Sequence, residues 1–92
     1  MELQLQRVVL TGTTKQVQFS QNAAIYLVKN FTSGDIYVSF NSNLVESKAI
    51  KIASGYAQEC CINENAMWHK NCNCNSIYVK GTGEVEVQQV WY

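Results

Sequence analysis

The sequence has no proline, a single histidine, no excess of either charge and no apolar run that approaches a membrane span. Lys plus Arg and Asp plus Glu both number seven, and no stretch concentrates either sign. This argues against electrostatically driven binding to nucleic acid or anionic lipid, which needs a basic patch. A neutral chain also lacks the long-range repulsion that keeps copies apart. A membrane helix needs about 20 consecutive apolar residues, so no membrane partner is expected. Met1 to Arg7 alternates apolar and polar residues, where a signal peptide would show a basic start and a continuous apolar core. The expectation is therefore synthesis and retention in the cytoplasm, with exit only in a particle or by lysis, and reduced cysteines as the default. The lack of proline is unusual for a β-rich chain of this size, and we have no physical account of it.

What is present is a strand signature. The 92 residues, 47% of them apolar, suit one domain spanning 1–92 with one shared core. Period-2 alternation recurs along most of the chain and period 3.6 almost nowhere. Leu3 to Leu10 alternates, with Leu3, Leu5 and Val9 on one face, and stops at Thr11-Gly12-Thr13-Thr14. Lys15 to Ser20 follows, with Val17 and Phe19 on one face and glutamines on the other. Ala24–Phe31 and Ile36–Phe40, separated by the polar break Thr32-Ser33-Gly34-Asp35, are expected to form a hairpin. Val45–Ile52 and Tyr56–Ile62 are the next strands, with Ala53-Ser54-Gly55 as a turn between them. Asn63–Asn75 is irregular and reads as a loop. Ser76–Lys80 and Glu84–Tyr92 flank Gly81-Thr82-Gly83 and predict a second hairpin. The count of seven to eight short strands, with turn signals roughly every 8–12 residues, implies an all-β fold: an antiparallel β-sandwich, jelly-roll or Ig-like, or a small barrel.

Four cysteines and the histidine form the one group with potential for chemistry. A structural zinc site usually takes paired cysteines a few residues apart, because a tight turn must aim both sulfurs at one ion. Adjacent Cys60 and Cys61 on a strand would point to opposite faces, so at most one could ligate. Cys72 and Cys74 would share a face and, with His69 and one of Cys60 and Cys61, could complete a four-ligand set, for which Cys61, His69, Cys72 and Cys74 are the candidates. The plainer reading is favoured: one of Cys60 and Cys61 fills the core and the other cysteines are reduced thiols. His-based catalysis would have to rest on His69, and nothing in the spacing brings Cys72 or Ser76 to it. Glu84 and Glu86 share one face of the last strand and read as a solvated pair. No catalytic residue and no cofactor are expected, and the chain reads as a non-enzyme.

The aromatics say more. Some of Tyr26, Tyr37, Tyr56, Tyr78, Trp68, Trp91 and Tyr92 must fill the core, and the surplus suits a subunit interface or a carbohydrate-stacking platform. The candidates are Tyr26, Tyr37, Tyr78, Trp68, Trp91 and Tyr92. Glutamines at positions 4, 6, 16, 18, 88 and 89 make strand surfaces polar but uncharged. Few lysines and no prolines guard the terminal strands against edge pairing.

Three stretches carry a resemblance: Val28 to Phe40, Ile50 to Gly55, and Ile77 to Val87. Their asparagine–turn–strand hairpin, isoleucine–glycine turn and closing isoleucine–tyrosine hairpin resemble small β-sandwich structural proteins of tailed phages and prophage-like elements, over residues 24–90. The resemblance implies a virion role, such as head decoration, fibre base or tail accessory, usually as a homo-oligomer among other particle proteins. It brings no catalytic residues, and the cysteine-rich loop departs from it. The expected function is a structural or assembly protein of a phage-like particle. The alternative is a carbohydrate-binding module with a glycan partner.

Overall fold

The computed structural model describes residues 4–61 and 74–91. Six strands account for most of them: β1 (Leu5–Ala23), β2 (Ile25–Asn30), β3 (Ile36–Ser39), β4 (Ile50–Ile52), β5 (Ala57–Cys61) and β6 (Cys74–Trp91). A single 3₁₀ turn, Glu46–Lys48, precedes β4. All ladders are antiparallel. The all-β expectation holds. Among the described residues, no helix is long and apolar enough to cross a membrane.

The expected pairings need correcting. β2 and β3 do not form a hairpin with each other. Both lie along β6, β2 against Val85–Trp91 and β3 against Tyr78–Lys80. β5 and β4 run in the same way along β2 and β3. Nor is Gly81-Thr82-Gly83 a reversal, because β6 passes straight through it as β1 passes through Thr11–Thr14. The fold is thus a ribbon of four long strands in the order β1, β6, β2 with β3, and β5 with β4. The expected seven to eight strands become six because two predicted pairs are continuous, and the predicted strand over 45–52 shrinks to β4.

These four strands bend at one line. Twelve residues of extended strand would span roughly 40 Å, yet Gln6 Nε2 donates to the Gln18 carbonyl of its own strand at 2.5 Å. β1 therefore doubles back on itself. Tyr26 similarly reaches both ends of β6, pairing with Gln89 and donating its hydroxyl to the Cys74 carbonyl at 2.6 Å. Folding the ribbon this way gives two arms with a common interior, an antiparallel sheet nearly closed into a barrel.

Glycine and asparagine make the bend. Between Thr11↔Thr82 and Thr14↔Lys80, two β1 residues oppose one β6 residue, a bulge that sharpens local twist. Gly12 there adopts φ +94°, a region costly for residues with a Cβ. On β6 the bend requires close approach: a Cβ on Gly81 would lie 2.8 Å from Ile36 Cγ2, and one on Gly83 2.9 Å from Thr32 Cβ. Asn30, 1% exposed, ties the corner together. Its Nδ2 donates to the carbonyls of Gly34 and Ile52, and its Oδ1 accepts the Thr32 N–H. Ser54 Oγ then donates to the Thr32 carbonyl at 2.6 Å.

Alternation sorts the rest. Val17 and Phe19, Tyr26 and Val28, Ile36 and Val38, Ile77 and Val79, and Val85 and Val87 all face the interior. Leu10 is also buried there, whereas Leu5 and Val9 stand on the outside of β1, 38% and 65% exposed.

Candidate functional site

The sequence candidates do not converge. Trp68, His69, Cys72 and Tyr92 lie outside the described residues, as does the side chain of Trp91. The expected loop over 63–75 lies there too, except that Cys74 and Asn75 already belong to β6.

Tyr26 is the clearest correction among the interface candidates. It is 0% exposed and centres an aromatic cluster, with ring centroids 5.7 Å from Phe19 and 5.9 Å from Phe40. Its hydroxyl is fully engaged, donating to Cys74 O and accepting from Gln89 Nε2 at 3.0 Å. Burial pushes its pKa up to about 12, with the Gln89 hydrogen bond acting in opposition. A core tyrosine with both roles satisfied costs little to bury. Tyr37 and Tyr78, by contrast, are half-buried on the outer face of the other arm. Tyr37 stands between Lys51 and Lys80, and Tyr78 between Gln16 and Ser39.

Cys60 fills the core opposite Tyr26. Cys61 and Cys74, two of the four candidate ligands, lie at the ends of β5 and β6, strands separated by β2, opposite Ile25 and Ala23. Cys60, Cys61 and Cys74 are thiols rather than disulfides. Among the described residues no three of His, Cys, Asp and Glu lie close enough together to hold a metal ion.

Glu84 and Glu86 were expected to form a solvated pair, and here too the structure differs. On the outer face of the arm containing β2 and β5, Arg7, Glu86 and Lys29 sit side by side across β1, β6 and β2. Arg7 Nη2 lies 3.0 Å from one carboxylate oxygen of Glu86 and Lys29 Nζ 3.1 Å from the other. The two cations shield the Glu86 side chain to 7% exposure. Their hydrogen bonds hold its carboxyl below the ordinary value, against the cost of desolvation. Glu84, two residues earlier, is 49% exposed and lies 3.9 Å from Arg7 Nε.

Apolar residues bracket this ion row. Leu5 and Leu27 flank Gln88 on one side. On the other, Val9 pairs with Glu84, whose carbonyl accepts the Phe31 N–H at 3.1 Å. Phe31 is 54% exposed. Glu59 of β5, opposite Leu27, is exposed on the same face, which thus carries two cations and three carboxylates, and its apolar side chains stand free of the core. Sequence reading missed Phe31 and Val9 as surface residues because β1 and the expected strand over 24–31 are apolar on both faces. β1 supplies one more feature: among the described residues it pairs with β6 alone, so one edge of a 19-residue strand carries no ladder.

The other arm carries a cleft of about 650 Å³, whose lining includes Val38, Phe40, Ile50 and Tyr78. No protein-family model matches the sequence, and neither a curated protein nor a solved structure does so.

Proposed function

We propose that this chain is a non-enzymatic structural and assembly protein of a phage or phage-like particle, self-associating through β1 and the outer face that holds Leu5, Val9 and Phe31. The observation that supports association is this face: exposed apolar side chains around a shielded ion row, beside a long strand edge that carries no ladder among the described residues. Unpaired edges invite strand addition unless charge or proline guards them. Along β1 the charged residues are Arg7 and Lys15 alone. A second copy suits the face because it carries both signs, so that cations and carboxylates can meet their opposites across a two-fold axis. The particle itself rests on the resemblance over residues 24–90. Its outer tyrosines, Tyr37 and Tyr78, would then be available to other particle proteins.

Light scattering coupled to size exclusion, in reducing buffer, tests this reading. A stable closed oligomer is expected, and Val9→Lys should shift it toward monomer with little change in melting temperature. A monomer at the highest attainable concentration, or an oligomer indifferent to Val9→Lys and Phe31→Ser together, would sink it.

A further inference from the structure

The arm that bears the ion row has two strand edges, β1 on one side and β5 on the other. Among the described residues β1 pairs with β6 alone and β5 with β2 alone. Three backbone bonds fix which residues turn toward those edges. The Gln89 N–H donates to the Gln4 carbonyl at 2.9 Å and the Phe31 N–H to the Glu84 carbonyl at 3.1 Å, so on this arm the even residues of β1 hold β6. The N–H and C=O groups of Leu5, Arg7 and Val9 therefore point out to the edge. On the other side the Asn30 N–H donates to the Tyr56 carbonyl at 2.9 Å, which continues the register of β2 with β5. That leaves the backbone groups of Ala57, Glu59 and Cys61 pointing out from β5.

Direction and charge then select a partner for each edge. β1 and β2 both oppose β6, and β5 opposes β2, so β5 runs against β1. A copy set beside the first with the same face outward thus brings its β1 antiparallel to β5. When Arg7 stands opposite Glu59 of the neighbouring copy, Leu5 meets Cys61 and Val9 meets Ala57, so one ion pair is flanked by two apolar pairs. Like edges match less well. β1 against a second β1 offers Arg7 no carboxylate over residues 5–11, and β5 in full overlap with a second β5 brings two Glu59 side chains together. Glu59 is also the one described carboxylate without a cation, since Asp35, Glu46, Glu84 and Glu86 each have one. Arg7, with its side chain 60% exposed, keeps donors beyond the one it gives Glu86.

We infer that copies of this chain join head to tail, β1 of one adding to β5 of the next through Leu5, Arg7 and Val9 against Cys61, Glu59 and Ala57. The joint extends one antiparallel sheet with a continuous outer face. Being heterologous, it builds a ring where the rotation closes and a filament where it does not. It rests on the self-association proposed above and names the strand that the β1 edge takes, beside the two-fold contact of the outer faces.

The test is disulfide trapping in the full chain under oxidised glutathione. Residues that exchange both hydrogen bonds across an antiparallel pair have Cα atoms about 5.5 Å apart, within disulfide reach. Leu5→Cys is expected to bond Cys61 of the next copy and to give a ladder of dimers, trimers and higher species on non-reducing gels. Adding Cys61→Ser should abolish the ladder, and adding Glu59→Arg should reduce it about fivefold, because like charges then face each other. A product that stops at the dimer, no product at all, or a ladder indifferent to Cys61→Ser overturns the head-to-tail joint. Light scattering on the unoxidised chain tells that failure from the wider one: an oligomer there leaves self-association standing, whereas a monomer removes both.

Discussion

On one arm of the folded ribbon, Arg7, Glu86 and Lys29 make a shielded ion row framed by Leu5, Val9 and Phe31, while on the other Tyr37 and Tyr78 stand among Lys51, Lys80, Gln16 and Ser39. β1 and β6 contribute to both outer faces, while β2 and β5 complete one and β3 and β4 the other, so along β1 strand identity does not cause the difference. Residue parity does. The bulge at Gly12 and Thr13 shifts the register of β1 against β6, so Gln6, Val8 and Leu10 point inward on one arm and Val17 and Phe19 on the other. A single extra residue thus lets one strand present apolar side chains outward on the first arm and glutamines on the second.

The corner that separates the arms is where that comparison breaks most easily. Asn30→Ala removes two donated bonds and one accepted bond from a buried site. Each stranded partner costs about 1–3 kcal/mol, so a loss of about 3 kcal/mol or more is expected in urea denaturation. Asn30→Asp keeps only the acceptor and should recover little. A loss under about 1 kcal/mol would mean that the arms are held apart by packing alone.

Close approach at the corner gives the next effect. Gly83→Ala places a Cβ 2.9 Å from Thr32 Cβ, and φ +122° is itself unfavourable for alanine. The expected loss is about 2 kcal/mol from overpacking and backbone strain together. Gly34→Ala, with nothing within 4 Å of the new methyl, should change stability by less than about 0.5 kcal/mol. Similar values for the two would show that β6 does not bend there.

Much of this was legible in the sequence, and the misreadings share a physical origin. Strand content and the break points at 11–14, 32–35, 53–55 and 81–83 follow from alternation and turn chemistry. Whether a break reverses the chain or bends it does not, because glycine at positive φ serves a bulge as well as a hairpin. The tyrosines show what local pattern can and cannot do. Ile25-Tyr26-Leu27, Ile36-Tyr37-Val38 and Ile77-Tyr78-Val79 look alike, yet Tyr26 points in and the other two point out. One usable signal was present: Lys29 shares parity with Ile25 and Leu27 and so turns Tyr26 inward, while Lys80 shares parity with Tyr78 and turns it outward. Asn30 gave no such sign, because its partners Gly34 and Ile52 meet it only once the corner closes.

Comparing those tyrosines by mutation sharpens the contrast between the arms. Tyr26→Phe leaves the Cys74 carbonyl without its donor and removes an acceptor from Gln89 Nε2, at an expected cost of about 1–2 kcal/mol. Tyr37→Phe should be neutral within about 0.5 kcal/mol. Alkaline titration followed by absorbance adds a second check. Because the folded-state pKa of Tyr26 is raised from 10.0 to about 12, its stabilising contribution is intact below pH 10 and is lost as pH rises toward 12. An ionisation near 10 for all tyrosines of the folded chain would contradict the buried position of Tyr26.

The smallest effects separate the two ionic arrangements. Glu46 and Lys80 form an ordinary exposed pair, 48% and 35% accessible, and Glu46→Gln should cost under about 1 kcal/mol, less still in high salt. Glu86 sits between two cations and out of water, so Glu86→Gln should destabilise more than Glu46→Gln at pH 7 and respond less to salt. The sign with pH is fixed by the depressed carboxyl: its contribution is present above the ordinary glutamate value of 4.5 and is lost as pH falls through the lower folded-state value. Melting temperatures of wild type and Glu86→Gln should therefore converge below pH 4.5, while Glu84→Gln tracks wild type more closely throughout. If Glu84→Gln and Glu86→Gln instead gave the same pH profile, the two carboxylates would share one solvated environment, and the outer face of this arm would lose the shielded charge that sets it apart from the tyrosine-bearing arm.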